Sequence, residues 1–134
     1  MMAREDDFNY IENAKAAKVA LDRGAQVQLG AHGQLQGLGA HWELWMFVQG
    51  GMTPLEALRC ATLSGARYLG MDADLGSIEK GKLADLVVLG KNPLENIRNS
   101  ESVRYVMKNG RLYEGARMDE TGNHPSKRGK FYWE

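Results

Sequence analysis

A short apolar run closed by a glycine-rich loop that feeds straight into an apolar helix constrains this chain more than any other feature. The run is Ala25 to Leu29, with Val27 and Leu29 on one side, and it reads as a strand. The loop is Gly30-Ala31-His32-Gly33-Gln34-Leu35-Gln36-Gly37-Leu38-Gly39. Ala40 to Gln49 then carries Trp42, Leu44, Trp45, Met46, Phe47 and Val48. A helix apolar nearly all round must be buried on most sides or meet a partner. Upstream, residues 5 to 23 read as a helix, because Phe8, Ile11, Ala14 or Lys15, Lys18 and Val19 recur at helical spacing. Ala16, Ala17 and Ala20 add propensity, and Asp6 and Asp7 suit the positive end of the helix dipole. Gly24 is a natural stop. Helix, glycine and strand in that order form the αβ half of an α/β unit.

Downstream punctuation is sharper. Gly50-Gly51 ends the apolar helix, and Thr53-Pro54-Leu55-Glu56 is a capping box with proline at the first helical position. That helix is expected to run to about Leu63, with Ser64 capping a further short helix that stops at Gly70. The pattern then changes. Leu83 to Leu89 and Val103 to Lys108 read as strands, and Asn109-Gly110 turns the second into Arg111 to Glu114 as a hairpin. The last residues are polar and end in Phe131, Tyr132 and Trp133, a tail of the kind that dangles or docks its aromatics on a neighbour. The organisation is therefore residues 1–70, then 71–115, then a polar tail at 116–134.

Composition sets exclusions. The chain has 134 residues, enough for one domain with a real core. Seventeen basic residues balance seventeen acidic ones, so no general attraction to nucleic acid or an anionic membrane is expected. The basic residues from Lys127 to Lys130 are too few to change that. No apolar stretch approaches the ~18 residues of a membrane span, and Met1 to Asp7 is charged where a signal peptide is apolar. As written the chain belongs in the cytoplasm, unless a missing N-terminal part carries a signal peptide. Cys60 is alone, so it makes no intrachain disulfide, and its helical setting suits a small buried hydrophobe.

The chemistry-bearing residues are few. His32 lies three residues past Leu29, at the end of a strand, where sites of parallel α/β folds are built. An imidazole there can ligate a metal, act as a base or simply bond a backbone group. His41 and Glu43 lie two apart, so on a helix they point about 200° apart and cannot share a metal. The Pro-Cys-x-x-Cys that a zinc deaminase pairs with His-x-Glu is absent, as is His-Glu-x-x-His. His124 reads as solvated. Gly37-Leu38-Gly39 lacks the third glycine of a dinucleotide loop, so close strand–helix approach explains these glycines better than phosphate.

Two blocks carry a family resemblance. Met52 to Thr62, followed by Gly65 to Gly70, resembles the helical end of the amidohydrolase superfamily barrel. Leu75 to Leu89, beginning Leu-Gly-Ser-Ile-Glu, is similar to the segment re-entering that family's accessory β-sandwich, and Asn92-Pro93-Leu94 and Val103 to Gly110 match the same region. Together these cover about residues 24 to 114. The loop from Gly30 to Glu43 resembles the imidazolonepropionase- and prolidase-like branch, nearest to its propeller-fused members, which share an aromatic-acid tail like Phe131 to Glu134.

The resemblance implies an α/β fold. Its parts are the terminal βα unit and closing helices of a TIM-type (β/α)8 barrel, then a small β-sandwich element, leaving the barrel incomplete. It implies hydrolysis of amide-like C–N bonds by water activated on a divalent metal, zinc in the first instance. His32 stands where the family has its last-strand base, an aspartate that is often also a ligand, and so takes the catalytic and metal positions. The family's His-x-His and bridging lysine or glutamate have no counterparts, so this chain alone binds no metal by the family's scheme and is expected to be inactive. It then needs a missing N-terminal barrel portion. The alternative is a stand-alone, non-catalytic homo-oligomer, associating through the Val27 strand and the Trp42 helix.

Overall fold

The computed structural model describes residues 9–32, 35 and 37–134. Four helices come first: α1 (Tyr10–Asp22), α2 (Leu38–Gln49), α3 (Pro54–Ala61) and α4 (Leu63–Tyr68). A sheet follows, with β1 (Leu86–Leu89), β2 (Val103–Lys108), β3 (Arg111–Glu114) and β4 (Glu120–Thr121). A 3₁₀ turn, Ile97–Glu101, lies between β1 and β2.

The alanine-rich face of α1 lets it approach α2 closely. Ala14 is buried, and a side chain at Gly50 would come within 2.4 Å of the Ala14 backbone. Only glycine fits that crossing. The expected start of this helix, with Asp6, Asp7 and Phe8, lies outside the described residues. α2 packs on α1, α3 and the 3₁₀ turn, burying Leu44 and Phe47. With Met52, Ala57, Cys60 and Ile97 these two form the core cluster.

α3 opens as its sequence demands. Thr53 Oγ1 accepts from the Glu56 amide at 3.2 Å, while the Thr53 amide donates to the Glu56 carboxylate at 2.7 Å. The helix stops at Ala61, and α4 starts at Leu63 without a side-chain cap. Ser64 therefore sits inside α4 rather than capping it. The Thr62 hydroxyl turns back to the Leu58 carbonyl, satisfying an acceptor at the end of α3 instead.

Ala25 to Leu29 is not a strand. No described strand pairs with it, and its amides are met one at a time. The Ala25 N–H donates to Ala20 at the end of α1, and the Leu29 N–H donates to Cys60 at the end of α3. A strand needs a ladder, and helix ends have supplied the hydrogen bonds here instead. Val27 and Leu29 still pack against the core, so the alternation of side chains survives without the sheet.

The sheet is an antiparallel meander in the order β1-β2-β3-β4. The hairpin from β2 to β3 turns at Asn109 and Gly110, both at positive φ, as a tight two-residue hairpin turn requires. β1 is shorter than expected. Leu83 to Asp85 leave the ladder, and the Leu83 amide donates to the Asp74 carbonyl. β4 comes from the C-terminal segment, and Glu120 in turn bridges Ser126 through both backbone amides. Among the described residues this is one open sheet, not two packed layers. At the tail, Phe131 and Trp133 stack at 4.4 Å, and Tyr132 stays exposed.

Candidate functional site

His32 stands exposed in the loop that follows the Ala25–Leu29 segment. It shares a concavity of about 390 Å³ with Gly30, Trp42, Glu43, Met46 and Phe47. Gly33, Gln34 and Gln36 of the same loop lie outside the described residues. The loop's entry is held from α2. Both carboxylate oxygens of Glu43 accept from the Gly30 amide, at 3.1 and 3.0 Å. A carboxylate taking a backbone N–H is a charge-assisted bond, stronger than an amide–carbonyl pair.

His41 turns the other way, as its helical offset from Glu43 requires. Its Nδ1 lies 3.0 Å from Ser100 Oγ, and the Trp45 indole N–H donates to the same hydroxyl at 3.1 Å. Ser100 is buried, and Arg98 lies over the Trp45 ring at 4.6 Å. One face of α2 thus holds the entry to the His32 loop and the other fastens the 3₁₀ turn. The His-Trp-Glu triplet is two structural anchors, not one metal site. Nothing in the spacing marks Ser100, which lies 59 positions from His41.

The remaining sequence candidates fall elsewhere. His124 is exposed in the turn between β4 and Ser126. Cys60 is buried in the core with its thiol pushed up by burial, so it carries little thiolate. No three histidine, cysteine, aspartate or glutamate side chains converge to hold a metal among the described residues. His32 and Glu43 line one hollow, but Glu43 is already engaged by Gly30 and no third donor joins them. These residues do not fit a metal, which needs three or more protein ligands at a zinc site.

Comparison with known proteins follows the same outline. The amidohydrolase family model matches residues 7–113. The chain is 35% identical over 105 residues to the ochratoxinase of Aspergillus niger, covering 75% of this chain and 22% of that protein. Over 39 residues it is 54% identical to an imidazolonepropionase of Symbiobacterium thermophilum, covering 29% of this chain and 9% of that protein. Among solved structures, a Xaa-Pro dipeptidase with methionine bound in its active site superposes with a TM-score of 0.69 at 37% identity, covering 76% of this chain and 25% of that one. The chain therefore spans about a quarter of the length of relatives matched over most of it. No described helix is long and apolar enough to cross a membrane.

Proposed function

Because this chain belongs to the amidohydrolase family, we propose that it is the C-terminal portion of a hydrolase of amide-like C–N bonds, without turnover of its own. The supporting observation is the mismatch of coverage: a family match over residues 7–113, in a chain spanning only 22% and 25% of such relatives. In this reading Tyr10 to Tyr68 is the terminal βα unit and closing helices of a TIM-type barrel. Ala25 to Leu29 becomes its last strand once neighbours offer a ladder. His32 then lies at the rim as the last-strand base or ligand, and the concavity beside it is part of the substrate cleft.

Glu43 and Gly30 hold the rim at a fixed height on α2. The family's chemistry rests on a divalent metal, and its ligand set would come from outside the described residues of this chain. No metal step is assigned to residues here. The relatives act on ochratoxin, imidazolonepropionate and Xaa-Pro dipeptides by name, and an N-acyl or Xaa-Pro amide is the corresponding substrate class to test.

The deciding observation is the source DNA upstream of the Met1 codon. An open frame running back through a His-x-His is expected. A stop codon and ribosome-binding site directly before Met1 would sink the fragment reading. In parallel, the purified chain with added Zn²⁺ should leave an Xaa-Pro dipeptide intact, and chelator-sensitive hydrolysis would overturn the claim of no turnover. A second reading, a stand-alone assembly module, is favoured by the exposed apolar residues of β1, Val87 and Val88.

A further inference from the structure

We propose that Asn109 is a self-modifying site, losing its carboxamide to attack by the Gly110 nitrogen at a rate set by the clasp that Ala84 and Asp85 place on the turn. Asn109-Gly110 is the one Asn-Gly pair in the sequence. Ring closure brings the next residue's nitrogen onto the asparagine Cγ, and glycine has no Cβ to obstruct that approach. Asn92, Asn96 and Asn99 are followed by Pro93, Ile97 and Ser100. Proline has no N–H to give up. The side chains of these three asparagines are also engaged: Asn92 donates to Glu95, Asn96 accepts from the Arg98 amide, and Asn99 donates to the Asn92 carbonyl. The Asn109 carboxamide makes no hydrogen bond among the described residues, and the residue is exposed.

The reaction needs only water. The Gly110 nitrogen gives up its proton and bonds to Asn109 Cγ, the carboxamide nitrogen leaves as ammonia, and a succinimide remains. Water then opens either ring carbonyl, leaving aspartate or isoaspartate in place of the asparagine. In the folded turn the attacking nitrogen is occupied, because the Gly110 N–H donates to the Ala84 carbonyl at 3.1 Å. One residue earlier the Asn109 N–H donates to Asp85 Oδ1 at 2.6 Å, while the Lys108 ammonium holds the other carboxylate oxygen. Two successive amides of the turn are thus tied to two successive residues ahead of β1, with Asn109 and Gly110 held at φ values of 49° and 78°. Attack needs the Gly110 nitrogen released from Ala84, so local opening of the clasp precedes reaction. Either product then works against the clasp. Aspartate brings a second negative charge to the residue whose amide holds Asp85, in competition for Lys108. Isoaspartate moves Cβ into the main chain and lengthens a two-residue loop that sets Lys108 opposite Arg111. Each conversion therefore loosens residues 84 and 85 from the turn, and the lost ammonia makes the change irreversible.

Peptide mass mapping and enzymatic isoaspartate detection test this on the purified chain, held for weeks at mildly alkaline pH beside a urea-unfolded sample. Conversion is expected at Asn109, with Asn92, Asn96 and Asn99 intact, and about tenfold slower in the folded chain than in urea. Asp85→Ala removes the anchor of the Asn109 amide and should speed the folded reaction by about fivefold, the factor a lost hydrogen bond gives an opening equilibrium. Asp85→Asn keeps an uncharged acceptor and should fall between, which preserves the comparison if Asp85→Ala does not fold. Hydrogen exchange at the Gly110 amide should rise in the same order, separating opening of the turn from global unfolding. Asn109→Gln should resist, because its longer side chain closes a larger ring. Asn109 left unmodified in the folded chain once the unfolded sample is fully converted overturns the site. Equal rates in folded and unfolded chain, or one rate for the wild type and Asp85→Asn, overturn the control by the clasp. None of these outcomes depends on whether the chain belongs to a longer hydrolase.

Discussion

Glu120 is the residue on which the end of the chain turns. Its carboxylate is nearly buried and receives the Arg111 guanidinium through Nε at 2.7 Å and through Nη2 at the other oxygen. The Ser126 hydroxyl lies at 3.5 Å from the same group. Arg111 holds the Glu120 carboxyl below the ordinary carboxylate range, and His124 adds a smaller pull in the same direction. Neighbouring Asp119 is lowered by Lys127 and the Arg128 amide, and Asp85 by Lys108 and the Asn109 amide. For each, the folded value lies below the unfolded one. Their stabilisation is therefore complete above the unfolded value, about pH 4, and disappears as pH falls through the lower folded values. On acidification from pH 7 to below ~4, the β4 segment should loosen before the helices do. Amide hydrogen exchange at Thr121 and Ser126 reads this directly. Glu120→Gln keeps the shape but removes the titrating charge. It should leave those two amides less protected at pH 7 and flatten their response to acid. Unchanged protection in the variant would show that the pair contributes nothing to holding the tail.

Among the elements, those with local causes were legible and those with distant causes were not. The capping box at Thr53 and Glu56 and the Asn109-Gly110 turn are written within four residues each, and both form as read. α1 and α2 follow from spacing alone, and the divergence of His41 and Glu43 follows from helix geometry. Ala25 to Leu29 has the alternation of a strand, but alternation reports which side is buried, not whether a neighbour offers hydrogen bonds. β4 is two residues long and exists because Arg111 and Ser126 gather around Glu120, contacts that no short window contains. The Gly30–Glu43 and Ser100–His41–Trp45 contacts escaped for the same reason. That His32 follows the Ala25–Leu29 segment was readable from order along the chain, whereas the Glu43 contact that steadies the entry to its loop was not. α3 offers a quantitative check of the local kind. Thr53→Ala removes the acceptor for the Glu56 amide and half of the reciprocal cap, and should lower stability by about 1 kcal/mol in denaturant titration. A loss below the error of that titration would mean Pro54 and the core contact of Ala57 define the helix start without the cap.

At the scale of the whole molecule, the distribution of the core decides how the chain should come apart. The buried hydrophobic residues belong to the helical part, apart from Ile97 in the 3₁₀ turn. β1 to β3 keep their apolar residues half-buried or exposed, and four short strands with no second layer among the described residues are marginal by themselves. The sheet must therefore draw stability from the helices, and the 3₁₀ turn is the contact that reaches the core cluster. Ile97 inserts into the cluster of Leu44 and Phe47, while Ser100 accepts the Trp45 indole N–H beside His41. Ile97→Ala removes the buried aliphatic group that the turn contributes to that junction, at a cost of about 2–4 kcal/mol for a large-to-small change in a core. Because the loss falls at the junction, native-state hydrogen exchange should show an uneven result. Amides of β1 to β3 should open at much lower free energy than in the wild type, while those of α2 and α3 change far less. Equal acceleration in helices and strands would mean that the two parts already unfold as one cooperative unit, and that the turn is not a weak link between them. The uneven outcome would instead describe a sheet held in place by α2, the helix whose other face carries the Glu43 anchor of the His32 loop.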